Sequence, residues 1–139
     1  TYSTLFVETR YMTDVFISGS VNAKIIFAFG SSVDVEGGYC ELIEGNLQRN
    51  STTYVARSSG GKLRLKHVHI RNTGTGFCVF LNGGIIITDN CTMVADTNLN
   101  SVGWSGSGTY KNWGSVSNKS VQTGITTLVQ SVLVDTNVE

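Results

Sequence analysis

Residues 62–98 read KLRLKHVHIRNTGTGFCVFLNGGIIITDNCTMVADTN, and the folding of this string decides the architecture. Leu63 and Leu65 set one face of an alternating strand, whereas Val68 and Ile70 fall on the opposite parity. Both pairs can point inward only if the strand has a bulge or corner near Lys66 and His67. Beyond it, Thr-Gly-Thr-Gly, Asn82-Gly83-Gly84 and Asp89-Asn90 separate the short runs FCVFL, IIIT and CTMVA. Runs rich in β-branched and aromatic residues between small-residue punctuation are strand signals. Two arrangements fit. Asn-Gly between apolar runs is the strongest short-range signal of an antiparallel hairpin. The same strands can instead be successive faces of a parallel coil, each turn stacked on the last so that inward aliphatics form a linear core. Ile70-Arg-Asn72, echoed about 18 residues on by Ile87-Thr-Asp-Asn90, tips the choice toward the coil.

Working outward, TLFVETRYMTDVFIS (4–18), AKIIFAF (23–29), GYCELIE (38–44) and TTYVAR (52–57) also read as strands, with Ser58-Ser-Gly-Gly as hairpin punctuation before Lys62. Residues 97–118, TNLNSVGWSGSGTYKNWGSVSN, are rich in Gly, Ser and Asn but carry Trp104, Tyr110 and Trp113, which a plain linker does not need. The ending SVQTGITTLVQSVLV (120–134) has apolar residues at helical spacing. Its β-branched crowding and Gly124 favour a pair of strands. The chain is therefore expected to be a single all-β domain, 1–139: N-terminal strands at 1–50, a coil or hairpin segment at 52–96, an aromatic loop at 97–118 and C-terminal strands at 119–139.

Composition agrees. The 139 residues include 16 Gly, 15 Ser, 16 Thr and 11 Asn, while only 14% are charged, against about 25% in an ordinary soluble domain. Hydroxyls and amides must wet this surface. A hydrophobic share of 40% with 16 Val is too apolar for a disordered chain. Ten basic and ten acidic side chains cancel, so no global field steers the chain toward nucleic acid or an anionic membrane. The longest apolar run, Ile25 to Phe29, is strand-sized, and no membrane insertion is expected. Thr1 stands where an initiator Met would, with no apolar leader, which reads as a processed product or an excised piece. Cys40, Cys78 and Cys91 give neither a disulfide framework nor a metal motif and are expected to be buried thiols. Sequons at Asn50, Asn90 and Asn118 arise by chance in so Asn-, Ser- and Thr-rich a chain and do not establish secretion.

Candidate chemistry is sparse. His67 and His69, two residues apart, could present imidazoles from one strand face, but no spacing nominates a third metal ligand. Arg57, Lys62, Arg64, Lys66 and Arg71 gather half of the basic residues into one segment. Regular alternation would put Arg64 and Lys66 on one face and His67, His69 and Arg71 on the other, without interleaved aromatics, so a solvated strand face is favoured over a nucleic-acid site. Glycoside hydrolysis would need paired carboxylates. Asp14, Asp34, Glu36, Glu41, Glu44, Asp89 and Asp96 are candidates, and the sequence pairs none of them. No Gly-x-Ser-x-Gly elbow is present, and Thr1 as an N-terminal nucleophile is equally explained by a chain boundary. The best candidate site is Trp104, Tyr110, Asn112 and Trp113, where aromatic faces would meet the C–H face of a sugar and the amide its hydroxyls. The alternative is that these rings close the core or an interface.

With these residues in view, the string 62–98, the Ser-, Thr-, Asn- and Gly-dominated composition and the Val-rich ending SVQTGITTLVQSVLVDTNVE resemble the distal part of bacteriophage tailspike and tail-fibre proteins over roughly residues 52–139. The resemblance implies an all-β fold: a short right-handed parallel β-helix-like coil of the pectin-lyase type, or a β-sandwich or prism, in a homotrimer. It further implies host cell-surface polysaccharide as partner, a place on the extracellular virion, a trimerisation role for 119–139, and no cofactor. No catalytic residue carries over, because tailspike enzymes vary in their carboxylates and use more stacked turns than this chain has. A slender stack also covers its apolar faces and strand edges poorly alone, which favours association. The expected function is that of a non-enzymatic distal domain that trimerises, stabilises the assembly and contacts glycan. Two other classes stay open: a glycoside hydrolase or lyase fragment with carboxylates from neighbouring subunits, and a monomeric carbohydrate-binding module of the sandwich type.

Overall fold

The computed structural model describes residues 3–123, 126–130 and 133–134. Among them are strands and no helix, hence no helix long and apolar enough to cross a membrane. The first turn consists of β1 (Ser3–Tyr11) and β2 (Asp14–Ile17), the second of β3 (Val21–Gly30) and β4 (Ser32–Val35). The third comprises β5 (Tyr39–Arg49) and β6 (Tyr54–Ser58), the fourth β7 (Lys62–Asn72) and β8 (Phe77–Leu81). From there the long strand is divided. β9 (Ile85–Asp89) and β10 (Thr92–Ala95) precede β11 (Asn100–Trp104); β12 (Thr109–Trp113) and β13 (Val116–Ser117) precede β14 (Ser120–Val121). β15 (Thr126–Gln130) and β16 (Leu133–Val134) begin a further turn.

The long strands and their divided successors stack into one sheet, and β2, β4, β6, β8, β11 and β14 into a second. Every pairing among the described residues is parallel. Because the chain visits the sheets alternately and always in the same direction, it winds as a coil, an arrangement compatible with a β-helix-like fold. The hairpin alternatives are corrected. β8 and β9 flank Asn82-Gly83-Gly84 but lie in different sheets, as do β6 and β7 around Ser59-Gly60-Gly61. The strand reading of 120–134 holds where the chain is described, although β14 and β15 belong to different sheets and do not pair with each other. Residues 1–2, 124–125, 131–132 and 135–139, Thr1 among them, lie outside the described residues.

The corner expected near Lys66 and His67 is present. His67 has φ 54°, and Glu44 and Asn90 have φ 52° and 49°. In register, Ile43 faces Lys66 and Gly45 faces Val68, so Glu44 and His67 occupy the same bend on successive turns. One left-handed residue resets the in–out alternation, and Leu63, Leu65, Val68 and Ile70 are all buried. The 18-residue echo is not the stacking period here. Lys62 pairs with Ile85 and His69 with Thr92, an advance of 23 residues, so Ile70 lies on Met93 while Ile87 lies on Arg64. In the larger sheet the first turn advances by 18, as Ser3 pairs with Val21, and the second by 17, as Asn22 pairs with Tyr39. The turns that follow advance by 23 and then 24, and the last described by 17, as Thr109 pairs with Thr126.

Inside the coil, stacked positions form continuous columns. One runs Cys40, Leu63, Ile86 and Tyr110, another Leu42, Leu65, Thr88 and Asn112, all buried. At the corner leading into the larger sheet, Gly-Gly recurs at 37–38, 60–61 and 83–84. Turns there approach too closely for a Cβ. One added to Gly84 (φ 72°) would lie 2.2 Å from the Gly61 carbonyl oxygen, and one on Gly38 (φ 70°) 2.3 Å from that of Val21. Gly84→Val should therefore destabilise the domain by about 3 kcal/mol or more, through strain and a displaced turn. Gly19→Ala meets nothing within 4 Å and should cost only about 1 kcal/mol for its positive φ. Urea unfolding of the two variants measures the difference.

Candidate functional site

The outer face of the smaller sheet carries a concentrated aromatic and polar surface. Register places Phe16, Asp34, Arg57, Phe80 and Gly103 in one column across β2, β4, β6, β8 and β11. Beside it, Tyr54 of β6 is paired with Phe77 of β8. The Tyr54 and Phe80 rings are stacked with centroids 6.3 Å apart and 18° between planes, and Phe77 tilts against Phe80 at 5.5 Å. Phe77 has room because its neighbour on β11 is Gly103, whose added Cβ would lie 2.4 Å from the ring. The three aromatics are half-buried and, with Thr52, Thr53 and Arg57, border a depression of about 300 Å³.

Asp34 and Arg57 hold this shelf in place. Arg57 Nε donates to Asp34 Oδ1 at 3.1 Å and its Nη2 to Oδ2 at 2.5 Å, a bidentate pair. Tyr54 donates its hydroxyl to Asp34 Oδ2 at 3.3 Å, and the Arg57 guanidinium lies 4.8 Å from the Tyr54 ring centre. Burial, with the Asp34 charge next, raises the Tyr54 phenol above its ordinary range, and Arg57 partly opposes this. The hydrogen bond to Asp34 raises Arg57, whose guanidinium stays charged across the physiological range. Fixed rings beside fixed polar groups have little rotamer freedom left to lose when a ligand with an apolar face settles on them.

The four residues singled out from sequence are not brought together as a surface. Tyr110 is fully buried, its hydroxyl 2.6 Å from Thr88 Oγ1. Asn112 is 1% exposed; its Oδ1 accepts from Ser115 N at 2.8 Å and its Nδ2 donates to Ser115 O. Both are inward residues of β12, occupying the columns of Ile86 and Thr88. Trp104 packs against the core at the end of β11 and donates its Nε1–H to the Thr123 carbonyl at 2.9 Å. Trp113 belongs to the larger sheet, next to Asp89. What reading the sequence missed is the shelf. Tyr54 and Phe77 are neighbours because a turn advances 23 residues, a period the three Gly-Gly pairs announce.

The other candidates separate as well. The bend at His67 leaves Arg64, Lys66, His67, His69 and Arg71 all off the core, correcting the two-faced arrangement, while Arg57 lies on the smaller sheet. Arg64 pairs with Asp89 at 2.6 Å and Arg71 with Asp96 at 3.0 Å. Burial, then Arg71, lowers the His69 imidazole below its usual value. Among the described residues no group of three His, Cys, Asp or Glu side chains could hold a metal ion. Comparisons with protein-family models, with curated proteins and with solved structures find no match.

All three cysteines are free and buried, as the sequence implied. Burial pushes Cys40 and Cys78 up to about 12 and Cys91 up to about 11 from an ordinary 9.0. The folded protein should show no fast-reacting thiol toward a disulfide reagent at pH 8, and all three on denaturation. A group raised on folding stabilises fully below its unfolded value. Stability should therefore hold up to pH of about 9 and decline toward about 11–12, as the unfolded chain sheds protons that the folded chain keeps. Denaturant midpoints against pH check the sign.

Proposed function

We propose that this chain is a non-catalytic coil domain of a trimeric fibre of the bacteriophage tailspike and tail-fibre kind, borne on the extracellular virion and contacting host cell-surface polysaccharide. The observation that carries the glycan contact is the shelf of Tyr54, Phe77 and Phe80, fixed beside the Arg57–Asp34 pair. Aromatic faces suit the C–H face of a pyranose, and the flanking Thr52, Thr53 and Arg57 can exchange hydrogen bonds with its hydroxyls. A non-catalytic reading is supported by the carboxylates: Asp34, Asp89 and Asp96 are each held by an arginine of the neighbouring turn.

Self-association is supported by the first two turns, where Leu5, Phe6, Tyr11, Phe16 and Phe29 are 44%, 57%, 71%, 58% and 41% exposed. Five large apolar side chains left exposed within two turns are surface that association would cover. β1 is also an edge strand, paired only with β3 among the described residues.

Retention on immobilised neutral polysaccharides, with light scattering of the same sample, tests both halves. Tyr54→Ala and Phe80→Ala should each lower affinity about tenfold or more, as expected for loss of a stacking ring. Phe77→Leu, which keeps the bulk, should lower it less. Retention of all three variants at the parent affinity removes the shelf from the function. A monomeric mass at working concentration removes the trimer, and release of reducing ends from the polysaccharide removes the non-catalytic reading.

A further inference from the structure

A second surface lies on another side of the coil, along the glycine corner. Two adjoining depressions of about 410 and 270 Å³ share Asn22 and Tyr39. The first reaches Lys62 and the backbone of Gly19 and Gly38; the second reaches Phe6, Lys24 and Glu41. Its members come from four turns, and stacking alone brings them together: Asn22 pairs with Tyr39 and Tyr39 with Lys62, while Phe6 pairs with Lys24 and Lys24 with Glu41.

Two cations of this groove stand outside the coil's ion pairs. Arg57, Arg64 and Arg71 each have a carboxylate within 4 Å, but among the described residues Lys24 and Lys62 have none. The Lys62 ammonium lies 5.6 Å from the Tyr39 ring centre. The groove's carboxylate, Glu41, accepts the Tyr39 hydroxyl at 3.3 Å. Glu41 also lies beside Arg64 in register, and Arg64 is ion-paired with Asp89. Burial and the Glu41 charge raise the Tyr39 phenol, so it stays protonated and donating. An aromatic ring, an amide and two ammonium groups that form no ion pair among the described residues thus line adjoining depressions.

We infer that this groove binds the acidic residue of a glycan, its carboxylate or sulfate between Lys24 and Lys62, its ring against Tyr39 and its hydroxyls on Asn22 and Glu41. The inference rests on the glycan reading for its ligand class, but it uses a different sheet and none of the shelf residues. Two cations set against one engaged carboxylate favour an anion over a neutral sugar. A point charge on a flexible stem suits carboxylate and sulfate alike.

Titrations with glucuronate, glucose 6-sulfate and glucose, followed by NMR at low ionic strength, test it. One or both acidic sugars should bind about tenfold tighter than glucose, and less tightly as salt is added. Which of the two binds tells carboxylate from sulfate recognition. Lys24→Gln and Lys62→Gln should each weaken acidic-sugar binding about fivefold or more. Lys111→Gln, on the same sheet but outside the groove, should leave it unchanged. Equal affinity for all three sugars, no binding of either acidic sugar, or a Lys111→Gln loss matching that of Lys24→Gln overturns the inference. Tyr54→Ala should leave glucuronate binding intact, so failure of the shelf and failure of the groove are read separately.

Discussion

Close approach of successive turns at the glycine corner sets the phase of the coil. Parallel strands in register lie about 4.8 Å apart, and where the chain turns from the smaller sheet into the larger one there is no space for a side chain between layers. An added Cβ on Gly61 would lie 2.9 Å from the Gly37 carbonyl, and one on Gly84 2.2 Å from that of Gly61. Once the corner repeats, Lys62 falls under Ile85 and Tyr39 under Lys62, and each long strand begins in phase with the last. The left-handed residue at Glu44, His67 and Asn90 then falls at the same place on these three turns. Inward and outward columns follow from that phase alone.

Much of this was legible in residues 62–98. The parity conflict between Leu63-x-Leu65 and Val68-x-Ile70 located the bend, because only a reset alternation keeps both pairs in the core. The short β-branched runs located the strands. What was misread was the meaning of glycine. Gly60-Gly61 and Gly83-Gly84 satisfy the conformational demand of a hairpin, yet they serve close packing between turns, and a local signal cannot tell these apart. Their recurrence with Gly37-Gly38 at equal spacing is the non-local signal. The shelf was illegible without it, since Asp34, Arg57 and Phe80 become a column only when the period is known. Likewise, Tyr110 and Asn112 look like a loop's ligand groups until Thr109–Trp113 is laid on Ile85–Asp89, which puts both at inward positions.

The core's chemistry changes along the coil. Leu42 and Leu65 give way to Thr88 and Asn112, Val68 to Cys91 and Ser115, and Leu47, Ile70 and Met93 to Ser117, all of them buried. Buried polar atoms are costly unless paired, and here they pair with each other. Thr88 contacts both Tyr110 and Asn112, Asn112 closes on the backbone of Ser115, and Ser115 Oγ accepts from Cys91 N at 2.8 Å. Ser117 Oγ reaches Ser101 Oγ across the coil at 2.7 Å. An aliphatic column tolerates a slip of register that keeps its parity, whereas this network is satisfied in one register only. The small polar residues that the composition assigned to the surface are in part an internal device that fixes the alignment of the later turns.

The outward columns obey a different rule. Among the described residues each ion pair joins adjacent turns, Asp34 to Arg57, Arg64 to Asp89 and Arg71 to Asp96, so paired charge on this surface is used between layers. These three pairs engage three of the 10 basic and three of the 10 acidic side chains. The net charge of zero conceals local differences: Arg57, Arg64 and Arg71 hold aspartates, while Lys62 stands over the Tyr39 ring and, among the described residues, neither it nor Lys24 has a carboxylate within 4 Å. At partial exposure such pairs contribute modestly to stability; their larger effect is on position, since a bidentate Arg57–Asp34 fork fixes the plane against which Tyr54 lies. Recognition on this coil thus comes from small differences between equivalent positions of successive turns. Gly103 under Phe77 opens the shelf, just as Tyr39 between Asn22 and Lys62 opens the groove.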